Sequence, residues 1–206
     1  WIGRSISVAT AHPLGVGDAL YRTATKPTEA DTVAFGTYRR SLVERIGNYD
    51  ESLLANEDYE FNARIRKSGG KIWVDPAIRA VYYSRPKLGS LARQYFTYGF
   101  WKFKMLQRYP STLRLRQAAP PAFVLGILML LLLSIFWIPA RICLLAGLFI
   151  YLTILAAGSI RPAINKKEFA LVIGVPIAIM TMHLSWGGGF LWSSINNSVT
   201  GKPNVS

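Results

Sequence analysis

Glu57, Asp58 and Glu60 place three carboxylates within four residues, Glu57-Asp58-Tyr59-Glu60, and this is the densest candidate for chemistry in the chain. An ionised carboxylate in contact with a hydroxyl can take its proton as the oxygen attacks an electrophile. Asn56 precedes the acids as a candidate N-cap, and the spacing predicts a helix from Glu57 to about Ser68. Phe61 and Ile65, with Ala63 nearby, give that helix an inward face, and Gly69-Gly70 stops it. On the first turn Glu57 and Asp58 sit at the positive end of the helix dipole, which favours their ionised forms. Acids in a first turn are also ordinary helix starters, so the tetrad alone does not separate a reactive pair from a well-begun helix. Its setting adds meaning: a basic, aromatic segment follows, and the first apolar run of spanning length begins about sixty residues later. That order suggests an enzyme working on a substrate held at a bilayer surface.

The elements around the tetrad read as a polar half followed by an apolar half. Residues 1–117 hold 19 of the 24 Lys and Arg and 10 of the 11 Asp and Glu. The 206 residues leave room for one soluble domain and a membrane part. Asp31-Thr32-Val33-Ala34-Phe35-Gly36 predicts a short strand, 39–46 a short helix and Gly47-Asn48-Tyr49-Asp50 a turn. Lys71-Ile72-Trp73-Val74 predicts a second strand closed by Asp75-Pro76, and 79–83 a third. Alternating strands and helices indicate an α/β domain. Between 88 and 117, Leu91, Tyr95, Tyr98, Phe100, Trp101 and Phe103 interleave with Arg93, Lys102, Lys104 and Arg108. Such mixtures suit a helix in the headgroup region, and the apolar runs just beyond favour membrane lipids over nucleic acid as the partner.

The 24 residues between Arg116 and Arg141 carry no charge, nor do the 19 from Ile142 to Ile160. A helix needs about 20 apolar residues to cross the hydrocarbon core. Spans are predicted at about 120–138, 142–160 and 169–186, the first two joined by the tight link Trp137-Ile138-Pro139-Ala140-Arg141. Pro176 is expected to kink the third, and Gly187-Gly188-Gly189 to end it. Lys102, Lys104, Arg108, Arg114 and Arg116 precede span one, and Arg161, Lys166 and Lys167 lie between spans two and three, against only Arg141 and Lys202 on the other side. This bias predicts a cytoplasmic soluble domain and an outside C-terminus. The regions are then 1–87 soluble, 88–117 interfacial and 118–206 transmembrane.

Several readings fall away. Cys143 is the lone cysteine, and with two histidines it makes no disulfide and no zinc pattern. Gly15-Val16-Gly17 reads as a turn, and His12 has no partner recognisable in sequence. Residues 1–20 lack the pattern of a signal peptide, and the start at Trp1 suggests the C-terminal part of a longer protein.

Five segments in order resemble family 2 glycosyltransferases: His12-Pro13-Leu14-Gly15-Val16-Gly17-Asp18-Ala19, Asp31-Thr32-Val33-Ala34-Phe35-Gly36-Thr37-Tyr38-Arg39-Arg40, Ile46-Gly47-Asn48-Tyr49-Asp50-Glu51, Asn56-Glu57-Asp58-Tyr59-Glu60-Phe61-Asn62 and Arg93-Gln94-Tyr95-Phe96-Thr97-Tyr98-Gly99-Phe100-Trp101-Lys102. Within that family the segments resemble the membrane-bound enzymes of bacterial exopolysaccharide assembly, of the succinoglycan type. The resemblance implies the acceptor-side half of a GT-A domain, α/β in class, followed by three membrane helices. It implies transfer of a sugar, with inversion, from a nucleotide-diphosphate donor to a lipid-linked or polysaccharide acceptor at the bacterial inner membrane. By the motif match Asp58 would be the general base and Glu57 would orient the site. Arg93, Gln94 and Trp101 would contact donor or acceptor, and Gly36 and Arg39 would shape the loop under the acceptor. The family's Gln-x-x-Arg-Trp motif is replaced here by Gln94-Tyr95-Phe96-Thr97-Tyr98, with Trp101-Lys102 later, which argues for one sugar added per visit. The family's divalent Mg or Mn is held by an Asp-x-Asp, and none occurs in this chain, so the isolated fragment is expected to be inactive. A membrane anchor or scaffold subunit is the competing reading, and a transporter is disfavoured because His183 is the single ionisable residue in the spans.

Overall fold

A computed structural model describes the backbone of residues 1–200 and the side chains through 196; Lys202 and the predicted outward C-terminus lie outside the described residues. The apolar runs form three long helices, α7 (Leu115–Leu133), α8 (Ile138–Lys166) and α9 (Leu171–Thr200). Each is long and apolar enough to cross a membrane, α9 through Asn196. The link between α7 and α8 is the tight turn that its length demands. Arg141 closes it by donating from Nε and Nη2 to the Ser134 carbonyl at 3.3 and 2.8 Å, which satisfies a group at the helix end. Pro176 lies inside α9.

The soluble elements are short. α1 (Ile2–Ala9), α2 (Pro13–Val16) and α3 (Leu20–Thr23) lead into β1 (Thr28–Ala30), followed by α4 (Arg40–Ile46), α5 (Glu57–Lys67), β2 (Ile72–Val74) and α6 (Leu88–Arg108). β1 and β2 pair antiparallel in the register Thr28↔Val74, Glu29↔Trp73 and Ala30↔Ile72. This is a partial α/β domain carried on membrane helices.

α9 is the hub. α1, α6, α7 and α8 all pack on it. Ile6 and Ala9 of α1, Leu91 of α6 and Leu155 and Ala163 of α8 bury against Leu171, Val175, Ala178, Ile179 and Met182. Closure depends on glycine. A Cβ at Gly99 would drive into the Trp186 carbonyl, one at Gly189 into the Phe96 carbonyl, and one at Gly187 would stand 2.5 Å from the Pro120 carbonyl. The triplet Gly187-Gly188-Gly189, expected to end the third span, is therefore helical interior. Small residues let α6 and α7 approach the α9 backbone, and the packing outweighs glycine's weak helix propensity.

Two other expectations change. Residues 31–36 are not a strand, because their polar groups are claimed from the side: Asn62 donates to the Thr32 hydroxyl at 2.8 Å and the Val33 carbonyl at 3.0 Å. Residues 79–83 form no ladder and lie exposed. His12 gains partners that sequence could not show. Its Nδ1 accepts from the Leu14 N–H at 3.1 Å, capping α2, which leaves the proton on Nε2 to donate to the Gly158 carbonyl of α8 at 3.1 Å. Arg4 of α1 pairs with Glu168, so α1 and the α8–α9 loop share one side.

Candidate active site

α5 sorts the acidic tetrad by helical rotation. Glu60 is fully buried and paired with Arg64, Nε to Oε1 at 2.6 Å and Nη2 to Oε2 at 3.0 Å. Arg64 also donates to the Ile46 and Asn48 carbonyls at 2.5 and 2.6 Å, which ties the α4–α5 connection to α5. Tyr59 points the other way, donating to Asp31 at 3.0 Å and to the Thr112 carbonyl at 3.2 Å. Glu57 and Asp58 are left half-buried at the wall of a cavity of about 1110 Å³. Asn56 fills the N-cap position in the left-handed region at φ 67°, without a side-chain cap bond. Its amide reaches across to the Tyr98 carbonyl at 3.1 Å and fixes the start of α5 against α6.

Asp58 is not held at the low end of the carboxylate range. Burial pushes its carboxyl up, and the adjacent Glu57 charge adds to this against the Tyr59 N–H, which donates to Oδ1 at 2.7 Å. The expectation that the helix dipole favours the ionised form is reversed for Asp58, because desolvation is the larger effect. A carboxylate that wants its proton back is a better base once ionised.

The cavity continues from these carboxylates into the membrane helices. Its deeper wall is Leu14, Pro120, Phe123, Tyr151, Met182 and Trp186. His183 also lines it, bonded to the Tyr151 hydroxyl at 2.9 Å. On the α6 side, Gln94 Nε2 donates to the Tyr98 hydroxyl at 2.8 Å and the Tyr82 hydroxyl at 3.2 Å, and both tyrosines line the cavity. Two arginines reach the wall. Arg116 is neutralised, donating to Asp18 at 2.7 Å and Asp31 at 2.5 Å. Arg22 is not paired with a carboxylate among the described residues; its guanidinium lies 5.0 Å from the Tyr82 ring centre and 5.3 Å from that of Tyr21. Phe35, also at the wall, is 84% exposed in the left-handed region at φ 58°, a costly conformation for a bulky residue.

Of the residues selected from sequence, Glu57 and Asp58 line the cavity directly, and Gln94 acts on it through Tyr82 and Tyr98. Arg93 is exposed, its carbonyl accepting from the Thr97 hydroxyl at 2.9 Å. Trp101 packs on Leu53, Tyr59, Ala63 and Met105, while Lys102 is fully buried beside it. Gly36 follows Phe35, and a Cβ there would strike the Tyr38 hydroxyl. Arg39 is exposed at the N-cap of α4. None of these four candidates, Arg93, Trp101, Gly36 or Arg39, lines the cavity. Arg22 and Tyr82 line the cavity and Asp31 pairs with Arg116 at its wall; sequence reasoning missed all three, since nothing in local spacing links Asp31 to Arg116, 85 positions away. Among the described residues no cluster of three His, Cys, Asp or Glu could hold a metal. The described residues do not fit a Mg or Mn site.

Two curated proteins match most of the chain. The succinoglycan biosynthesis protein ExoA of Rhizobium meliloti is 30% identical over 194 residues, covering 91% of this chain and 55% of that protein. The dolichyl N-acetyl-alpha-D-glucosaminyl phosphate 3-beta-D-2,3-diacetamido-2,3-dideoxy-beta-D-glucuronosyltransferase of Methanococcus voltae is 28% identical over 177 residues, covering 84% of this chain and 50% of that enzyme. The chain thus spans about half the length of the curated relatives it matches. No protein-family model matches it, and neither does any solved structure. The similarity to a succinoglycan biosynthesis protein and to a glucuronosyltransferase named for a dolichyl phosphate sugar extends along most of the chain.

Proposed function

We propose that this chain is the acceptor-binding and membrane part of an inverting, family 2 glycosyltransferase that adds one sugar per visit to a lipid-linked or polysaccharide acceptor. The observation that carries the proposal is the placement of Asp58: a half-buried carboxylate, raised by desolvation, at the wall of a cavity that runs on between helices of spanning length. The name of the Methanococcus relative, which contains a sugar joined to dolichol through phosphate, supports a lipid-linked acceptor. The Rhizobium relative supports a role in exopolysaccharide biosynthesis.

In this reading the acceptor hydroxyl lies against Asp58. As its oxygen forms a bond to the anomeric carbon, the proton passes to the Asp58 carboxylate. The bond from that carbon to the donor phosphate breaks on the opposite face, and the electron pair leaves with the nucleoside diphosphate. One displacement inverts the anomeric centre. Glu57, beside the base, orients the acceptor. Tyr82 and Tyr98, held by Gln94, offer ring faces and hydroxyls to the acceptor sugar.

The Arg4–Glu168 pair, which joins α1 to the α8–α9 loop, and the basic bias of both segments support a reading in which they face the cytoplasm of a bacterial plasma membrane. The chain alone is inactive in this reading, since it contains no Asp-x-Asp to hold a donor diphosphate. The test is Asp58→Asn in the full-length protein, assayed with a nucleotide-sugar donor. The expected loss in kcat is about 10²–10⁴-fold, the range for a positioned base. Turnover at the wild-type rate would remove Asp58 as the base.

A further inference from the structure

We propose that Arg22 is an anion seat in the cavity wall, and that its ligand is the phosphate or diphosphate of a lipid whose chain lies along the membrane end of the same cavity. The proposal rests on the glycosyltransferase reading for its biological sense and on four structural observations for its substance. First, Arg22 lines the cavity from α3, whereas the carboxylates Asp50, Glu51, Glu57 and Asp58 come from the segment leading into α5 and from its first turn. Second, its guanidinium is positioned in advance: Nη1 donates to the Thr10 carbonyl at 2.8 Å, and the plane is flanked by Tyr82 and Tyr21. Third, Nε is buried with no hydrogen-bond partner among the described residues, and no carboxylate pairs with the group there. Arg66 also has buried nitrogens without a partner, but it does not line the cavity; of the two arginines that do, Arg116 is paired twice and Arg22 is not paired with a carboxylate. Arg22 is half-buried, with tyrosines and no carboxylate beside it, so an anionic ligand would supply the counter-charge that the described residues do not. Fourth, the same cavity has an apolar wall. Leu14, Pro120, Phe123, Met182 and Trp186 line it between candidate membrane helices, an apolar wall that suits an acyl or prenyl chain.

The seat is tied to the base. Asn56, next to Glu57-Asp58, holds the Tyr98 carbonyl; the Tyr98 hydroxyl accepts from Gln94; Gln94 also holds Tyr82; and Tyr82 lies under Arg22. A lipid phosphate bound at Arg22 would thus be set in a fixed relation to Asp58.

A phosphate could equally come from the diphosphate of a nucleotide donor, and the experiment separates the two. The full-length protein in lipid nanodiscs is titrated with undecaprenyl phosphate, with neutral undecaprenol and with uridine diphosphate, read by equilibrium binding. The expected result is at least about tenfold tighter binding of the phosphate than of the alcohol. Arg22→Gln abolishes that preference, Arg22→Lys keeps part of it, and binding of undecaprenol and uridine diphosphate is unchanged. The proposal is overturned if Arg22→Gln keeps the tenfold preference, or if it weakens uridine diphosphate instead. Should Arg22→Gln fail to fold, the wild type decides: equal affinity for phosphate and alcohol overturns the proposal. A phosphate preference that depends on Arg22 without sugar transfer would sink the transferase reading alone. Asp58-dependent transfer with Arg22 silent would sink the seat alone.

Discussion

Replacing Lys102 by Met should make this protein more stable at neutral pH and erase part of its pH dependence. Lys102 is fully buried on α6, with its ammonium 3.9 Å from the Tyr59 ring centre. It donates to the Thr112 carbonyl at 3.3 Å and the Thr112 hydroxyl at 3.5 Å. Burial pushes it down from the ordinary 10.5 to about 7; Asp31 pulls it up, and Arg116, Arg66 and Arg114 push it further down. At about 1.4 kcal/mol per pH unit that fall corresponds to about 5 kcal/mol. Between pH 7 and 10.5 the unfolded chain holds the proton that the folded state gives up, so stability rises with pH across that window and the cost is fully present below it. Methionine removes the charge and keeps the length. It forfeits a desolvated cation–π contact of about 2 kcal/mol and about 1 kcal/mol of hydrogen bonding. The Thr112 carbonyl stays satisfied by the Tyr59 hydroxyl at 3.2 Å. The variant is then about 2 kcal/mol more stable near pH 7, and wild type recovers about 2 kcal/mol against it by pH 9. Equilibrium unfolding in detergent micelles at both pH values measures the gap. A gap that is the same at pH 7 and pH 9 would refute the argument, as would a less stable variant at pH 7.

Three other outcomes follow from the same geometry. Asp58→Asn, which should lose transfer, should also raise the melting temperature at neutral pH: the folded carboxyl is raised, so its ionised form costs stability as pH rises through that value, and the gain should vanish at acid pH; an unchanged or lower melting temperature at pH 7 would count against the desolvated placement. The neighbours Gly188 and Gly189 should behave oppositely, because a Cβ at Gly188 meets nothing within 4 Å while one at Gly189 meets the Phe96 backbone. Gly188→Ala should stabilise by about 0.5–1 kcal/mol in thermal unfolding and Gly189→Ala should destabilise by more than that, so equal effects would contradict the α6–α9 packing. Asn62→Ala should cost about 3 kcal/mol, since it strips bonds from Tyr38, Thr32 and Val33, and should raise the KM for acceptor more than it lowers kcat by freeing the loop that carries Phe35; limited proteolysis at 31–38 and steady-state kinetics check both parts.

The membrane helices and α5 were legible from sequence because each is decided locally. A run of 24 uncharged residues has few soluble alternatives, and Asn56-Glu57-Asp58 before Phe61 and Ile65 starts a helix whatever surrounds it. Within the tetrad the roles were not legible. Glu60 and Asp58 differ by two positions, and only the arrival of Arg64 on one and a cavity on the other separates an ion pair from a candidate base. The same limit explains the misread segments. Residues 31–36 read as a short strand ending at a glycine but are held by Asn62, and the glycine triplet reads as a break but serves close helix contact. Arg22 carries no local signal at all, because its meaning comes from Tyr82 and from a wall shared with α7 and α9. Sequence by itself determined what is set by periodicity, charge bias and chain-local propensity: three apolar helices, a helix-borne carboxylate pair and the glycosyltransferase resemblance. The tertiary structure decided burial and long-range pairing: desolvation, with the Glu57 charge, raises Asp58, Asp18 and Asp31 neutralise Arg116, and no carboxylate among the described residues reaches Arg22, because which distant segments exclude water from a group or meet it is set by the fold.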